Sequence, residues 1–368
     1  MKIAVYFDLP PGGASRTMEE LTKILGASHE ILIYHNIPPL FSLPFLTRLL
    51  ADLESVLFQR FKQHRQAKEI DKQKFDLVLV SHDRHSQSPW ILRFLKTPTV
   101  FLCQEPTRAY FEEFLKIDSK LPLLNKVYET LNRTIRKNIE IKNASFATRI
   151  IANSNYSTES IFRAYGRHST PIYLGIDPLD YYPEAAPKKN RILVIGNNEP
   201  QKAIPFAIEV ISKIPEKARP KLLIVSPRER DSSELKQLAK KLGVRLEIII
   251  GLNQDELRAV YSQSLLTLAV AYLEPFGLSV IESLACGTPV VAVSEGGFRE
   301  TVRPGDTGLL VERDPRKIAL EVLTLLRNRS LMAHMGSAGV KDVNRRFTWQ
   351  QTVRKIEEIF YETSHHHR

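Results

Sequence analysis

The chain has 368 residues, is 43% hydrophobic and 25% charged, and carries a formal charge of +11, with 52 Lys and Arg against 41 Asp and Glu. This length allows two domains with separate cores, and the composition excludes a largely disordered chain. Two cysteines, Cys103 and Cys286, exclude a disulfide framework and a thiolate metal cluster and fit a reducing cytoplasm, while the basic excess favours an acidic partner such as a phosphorylated substrate, an anionic membrane surface or nucleic acid.

The opening "MKIAVYFDLP" has too short an apolar run for a signal peptide, and no stretch approaches the ~18 apolar residues that cross a bilayer. Strands are predicted at "KIAVYF", "EILIY", "DLVLVS", "TVFLC", "RIIANS" and "PIYLG". A second set follows at "RILVIG", "KLLIVS", "LEIIIG", "LLTLAV", "PVVAV" and "GLLV". Helical patterns separate them, and "DYYPEAAPKKN" between the sets reads as a linker. Continuous apolar strands alternating with helices indicate α/β architecture with parallel sheets covered on both faces. The expectation is two Rossmann-like domains, 1–182 and 190–345, facing across a cleft, with a helix over 346–364 returning to the first. Trp349, Val353, Ile356 and Phe360 recur at near-helical spacing in that last segment.

In the first half, residues 43–74 and 121–143 mix apolar residues at helical spacing with Arg60, Lys62, Arg65, Arg133, Arg136 and Lys137. They read either as surface helices packed on the sheet or as contacts to anionic lipid head groups. No recognised nucleic-acid motif accompanies the charge, so nucleic acid is the poorer explanation. "SHDRH" groups His82, Asp83 and His85 at a strand end. It reads as polar lining rather than a metal site, and it lacks the nucleophile elbow of a hydrolase.

Chemistry concentrates in the second half. "VIGNNEPQKA" places Gly196 at a strand end, and Lys202 could approach a phosphate. In "EPFGLSVIESLACGTPVV", Pro275 can begin a helix that ends at Gly287 and Pro289. The amides of Gly277, Leu278 and Ser279 then lie in its first turn, a ready diphosphate site. Glu274 precedes this helix and Glu282 lies within it. They either hold a sugar and a ribose diol, or serve as a capping acid and a solvated carboxylate. "VSEGGFRE" adds Gly296 and Gly297, which permit close backbone approach.

"EPFGLSVIE", "ACGTPVVAVSEGGFRE" and "GDTGLLV" resemble the retaining glycosyltransferases of family 4 (glycosyl transferases group 1), which have the GT-B fold; the two-glutamate motif is present as Glu274 and Glu282. "PPGGASR", "RIIANSNYSTESIFRAYG" and "FTW" extend the likeness over nearly the whole chain. The resemblance implies a nucleoside-diphosphate sugar as donor substrate, with no metal and no separate cofactor. Glu274 would contact donor-sugar hydroxyls, Glu282 the ribose, amides around Phe276 to Ser279 the sugar and diphosphate, and Lys202 the leaving diphosphate. Gly196 and Asn197 would border the donor, and Gly12 and Gly13 would let their loop approach the reacting centre. Gln104, Glu105 and Arg108, in "FLCQEPTRAYFE", would lie on the acceptor side. A glycan or lipid-linked acceptor is implied, in cell-surface polysaccharide synthesis, on the cytoplasmic side and peripheral to the membrane.

Three positions depart from the family pattern: Asn197 where arginine is usual, Ala203 where glycine is common, and Gln104 where histidine is frequent. Asn197 and Gln104 motivate the rival reading of a GT-B protein that binds a nucleotide or glycan without transfer. A nucleotide-sugar epimerase is the remote third.

Overall fold

The computed structural model describes residues 1–9, 12–35, 52, 54–112, 115, 117, 121–227 and 231–365. The chain divides into two compact units, Met1–Ile172 with Val353–Arg368, and Tyr173–Thr352. The first division falls ahead of the Pro-rich segment that reads as a linker in the sequence. Ile176 donates its amide to Phe347 O (2.9 Å) and Thr352 Oγ1 donates to Tyr173 O (2.8 Å), so residues after Ile172 are built into the second unit.

Unit 1 contains β1 (Lys2–Asp8), α1 (Gly13–Leu25), β2 (Glu30–Tyr34), α2 (Gln59–Lys72), β3 (Leu77–Asp83), β4 (Thr99–Cys103), α3 (Arg108–Phe111), α4 (Leu123–Ala144), β5 (Arg149–Ala152), α5 (Asn155–Tyr165) and β6 (Thr170–Pro171). Its six strands pair in parallel in the order β2-β1-β3-β4-β5-β6. Alternate residues of each strand serve opposite faces. Ala4, Tyr6, Val78, Val80 and Phe101 join Ala67 and Ile70 of α2 in one core. Ile3, Val5, Leu77, Leu79 and Val100 join Met18, Leu21 and Leu25 of α1 on the other face, together with Val353, Ile356 and Phe360. Those last three come from the C-terminal helix Trp349–His365. The strand predicted at "PIYLG" is cut to Thr170–Pro171: Ile172 still donates to Ala152 O, and the chain then leaves the sheet edge.

Unit 2 contains β7 (Arg191–Ile195), α6 (Ile204–Ser212), β8 (Lys221–Ser226), α7 (Ser233–Lys241), β9 (Leu246–Ile250), α8 (Gln254–Gln263), β10 (Leu266–Ala269), α9 (Leu278–Ala285), β11 (Val290–Val293), α10 (Phe298–Thr301), β12 (Gly308–Val311), α11 (Pro315–Arg327) and α12 (Arg329–Arg346). The order is β12-β11-β10-β7-β8-β9, all parallel. Strand order therefore reverses between β7 and β10. Loops leaving the carboxyl ends of two such strands diverge to opposite faces and leave a crevice, the favoured ligand position in open α/β sheets.

Candidate functional site

The loops leaving β7 and β10 carry the two side chains singled out by the sequence. After β7, Gly196 donates to Val225 O (2.9 Å), and the chain turns through Pro200–Lys202. A Cβ on Gly196 would lie 3.3 Å from the Lys202 side chain, so the glycine makes room for the lysine stem. Ala203 follows at φ 50, a left-handed conformation that costs an alanine on the order of 1 kcal/mol. After β10, Tyr272 N–H donates to Gln201 O (2.8 Å), tying the two loops together. Lys202 Nζ then meets Glu274 Oε2 at 3.0 Å.

The helix expected from Pro275 begins instead at Leu278. Gly277 takes φ 97, and a Cβ there would come within 2.9 Å of Phe298. The Phe276 side chain is buried against Tyr173 and Phe347, so only its backbone can serve a ligand. Leu278 and Ser279 open α9, with their amides in the first turn beside Gly277. Gly287 ends the helix at φ 69, its amide donating to Leu284 O and that of Thr288 to Ser283 O, the paired bonds of a left-handed glycine cap.

Glu274 is no helix cap, because its side chain pairs with Lys202 and Gly277 holds the N-cap position. Nor is Glu282 solvated: it is 3% exposed, and its oxygens accept from Tyr181 (3.0 Å) and Tyr261 (2.7 Å), both buried tyrosines. Burial, with the negative Glu282 nearby, pushes the Cys286 thiol up to about 12. Gly296 and Gly297 do allow a close backbone approach, but to the protein itself. Added Cβ atoms would fall 2.5 Å from Glu274 O and 2.4 Å from Pro275 O, and Gly297 N–H donates to Glu274 O at 2.7 Å. Asn197 is 7% exposed, and its side-chain oxygen accepts from the Glu199 amide.

In unit 1, Gly12 is the N-cap of α1 and Gly13 its first residue; Pro10 and Pro11 of the same loop lie outside the described residues. Asp83 accepts from Tyr6 Oη (3.2 Å), Gln63 Nε2 (2.8 Å), His85 N (2.8 Å) and Ser86 N (2.9 Å). Burial raises its carboxyl, and these hydrogen bonds oppose the shift. His82, also buried, is lowered to about 3 by desolvation and accepts from the Gln104 amide at 3.1 Å. His82 and Asp83 are thus held by internal hydrogen bonds. Gln104 is 8% exposed, and its Nε2 has no hydrogen-bond partner among the described residues. Glu105 pairs with Arg108 at the start of α3.

Sequence reasoning missed Arg313, Tyr272, Tyr181 and Tyr261. Each earns its position through tertiary contacts and carries no local pattern, and Tyr181 falls inside the segment 180–190 that reads as a linker in the sequence.

Residues 183–342 match the model of the family described as glycosyl transferases group 1. N-acetyl-alpha-D-glucosaminyl L-malate synthase of Bacillus anthracis is 29% identical over 177 residues, covering 48% of this chain and 46% of that protein. D-inositol 3-phosphate glycosyltransferase of Rhodococcus opacus is 28% identical over 235 residues, 58% of this chain and 52% of the relative. The chain thus spans about half the length of these curated relatives. Among solved structures, sucrose-phosphate synthase from Thermosynechococcus elongatus superposes with a TM-score of 0.77 at 18% identity, covering 98% of both chains. Anabaena HepE in complex with UDP and glucose superposes at 0.73 and 18%, covering 98% of this chain and 100% of that one. These likenesses establish the fold.

Proposed function

We propose that this chain, whose residues 183–342 match the model of the group 1 glycosyltransferases and which has the GT-B fold, is a retaining transferase that moves a sugar from a nucleoside-diphosphate donor to a glycan or lipid-linked acceptor. The observation that carries this reading is the Lys202–Glu274 pair, 3.0 Å apart on the two loops beside the strand-order reversal, next to the first turn of α9. A diphosphate there meets a lysine and unpaired helix amides, and charge developing on the leaving group is stabilised by both, without a metal ion. Glu274 accepts from donor-sugar hydroxyls, and Glu282 from the ribose. On the acceptor side, Gln104 Nε2 is a buried donor lacking a partner among the described residues, suited to a sugar hydroxyl.

The test is calorimetric binding of UDP, GDP and ADP to the wild type and to Glu282→Gln, followed by donor turnover with EDTA present. One nucleotide is expected to bind, more weakly in the variant, and turnover is expected to survive EDTA. No binding of any nucleotide overturns the reading. Binding without transfer to any glycan or lipid acceptor favours a nucleotide-binding protein, the alternative that Asn197 supports by leaving a neutral side chain beside Lys202's loop.

Unit 1 contributes a partner surface to the same proposal. Helix α4 exposes Leu124 (83%), Val127 (50%), Leu131 (58%) and Ile135 (50%) in one helical row, with Leu123 beside them and Phe61 exposed on α2. Arg133 is held by Glu129 and two backbone carbonyls, and Arg136 by Asp52. The apolar row, more than the charge, therefore supports a lipid surface, with the acceptor carried on it and the protein peripheral to the cytoplasmic membrane face. The first part of the basic segment, residues 43–51, lies outside the described residues.

A further inference from the structure

Arg313, in the turn between β12 and α11, does not touch the Lys202–Glu274 pair, yet it holds both arms that carry it. Its guanidinium makes a bidentate contact with Glu295 (Nε–Oε1 2.7 Å, Nη2–Oε2 2.6 Å). It also donates to Val270 O (2.8 Å) and Ala271 O (3.0 Å), at the end of β10, and lies 3.9 Å from the Tyr272 ring centroid. The Phe206 ring of α6 lies at 5.3 Å. From this hub one path runs through Tyr272, whose amide donates to Gln201 O, to the neighbouring Lys202. The other runs through Glu295 to Gly296 and Gly297, and Gly297 N–H donates to Glu274 O.

We propose that Arg313 is a positioning residue, setting the separation of Lys202 and Glu274 by clamping the ends of β10 and β11 to one rigid planar cation. This rests on the donor-site reading above. The chemistry demands arginine. Only a planar fork can make two parallel bonds to Glu295, reach two successive carbonyls and stack on an aromatic face, whereas a lysine is a single point of charge. A displacement of about 1 Å at a reacting centre can cost on the order of 100-fold in rate. Loosening the hub therefore acts on turnover more than on ground-state affinity.

The experiment compares wild type with Arg313→Lys and Glu295→Gln by hydrogen exchange, calorimetric nucleotide binding and donor turnover. Faster exchange is expected in peptides covering 270–277 and 294–300, with the β8 and β11 strands unchanged. Turnover should fall roughly 10–100-fold while KM for the donor changes less than about threefold. Unchanged exchange in both loops overturns the clamp whatever the activity. Faster exchange with unchanged turnover overturns the positioning role. A wild type that binds no nucleotide sinks the donor-site reading, and the exchange comparison still decides the clamp.

Discussion

Lys202 Nζ lies 3.0 Å from Glu274 Oε2, and each side chain is carried on the loop leaving one of the two strands at the order reversal of unit 2. Both are partly exposed, at 32% and 19%, so the pair contributes at most about 1 kcal/mol to stability. Its chemical meaning is greater. The lysine charge is committed to the glutamate, so under the proposed donor reading a diphosphate has to compete for it.

Glu274→Gln separates these effects. The amide keeps the shape but releases the lysine, so nucleoside-diphosphate affinity should hold or improve, by up to about tenfold if one charge-assisted contact is freed. Turnover should fall on the order of 100-fold or more, because the donor sugar loses its carboxylate partner in the transition state. Calorimetry and a transfer assay measure the two. Equal turnover in variant and wild type overturns the role of Glu274.

Glu282 calls for a gentler substitution than truncation. Removing its carboxylate takes an acceptor from each of two buried tyrosines, Tyr181 and Tyr261, and opens a void, so Glu282→Ala mixes unfolding with ligand loss. Tyr261→Phe isolates the structural part. Loss of one hydrogen bond to a buried carboxylate should cost about 1.5–3 kcal/mol, lowering the melting midpoint of unit 2 by roughly 4–10 °C. A midpoint within a degree of the wild type shows that the phenol contributes nothing.

The architecture could be read from the sequence because it lies in local runs. Each parallel strand is covered on both faces, and "RILVI" or "PVVAV" therefore appears as an unbroken apolar block. The glutamate pair and Lys202 stood out for a different reason: each lies in a short segment with its own glycine punctuation, and the fold brings Lys202 to Glu274. What escaped was tertiary. Arg313 in "LLVERDPRK" looks like an ordinary surface cation, and nothing local tells that five groups converge on it. Gly296 and Gly297 misled in the same way. Their need for space was visible, but the occupant is the 273–276 turn of the chain itself. Even the start of α9 was displaced by tertiary packing, since Gly277 presses against Phe298 and turns left-handed.

His82 makes unit 1 sensitive to acid. Its native pKa is lowered from 6.5 to about 3 by burial, so between those values the unfolded chain binds a proton that the native one does not. Stability then falls as pH drops, by about 1.4 kcal/mol per unit, or roughly 2 kcal/mol from pH 6.5 to 5. Asp83 and Glu140, both raised by burial, work in the opposite direction at the lower end. Comparing wild type with His82→Gln largely cancels them. Chemical unfolding at the two pH values should show the variant losing about 2 kcal/mol less than the wild type. Parallel pH dependence in the two proteins refutes the assignment.

The apolar row of α4 makes a prediction that charge alone does not. If the protein sits on lipid through Leu124, Val127, Leu131 and Ile135, association with vesicles containing anionic lipid depends mainly on buried apolar area. Replacing Leu124 and Leu131 by Ser removes two such side chains from the contact. At about 1–2 kcal/mol each for partial insertion, the double variant should bind on the order of 30- to 1000-fold more weakly in a sedimentation assay. Arg133 and Arg136 are already held by internal partners, so raising the salt several-fold should weaken the wild type far less than the leucine changes do. The reverse pattern, with salt abolishing binding and the leucine changes leaving it intact, would locate the contact in the basic residues instead. No association with vesicles of any composition would leave the stripe without a lipid partner and detach the acceptor proposal from the membrane.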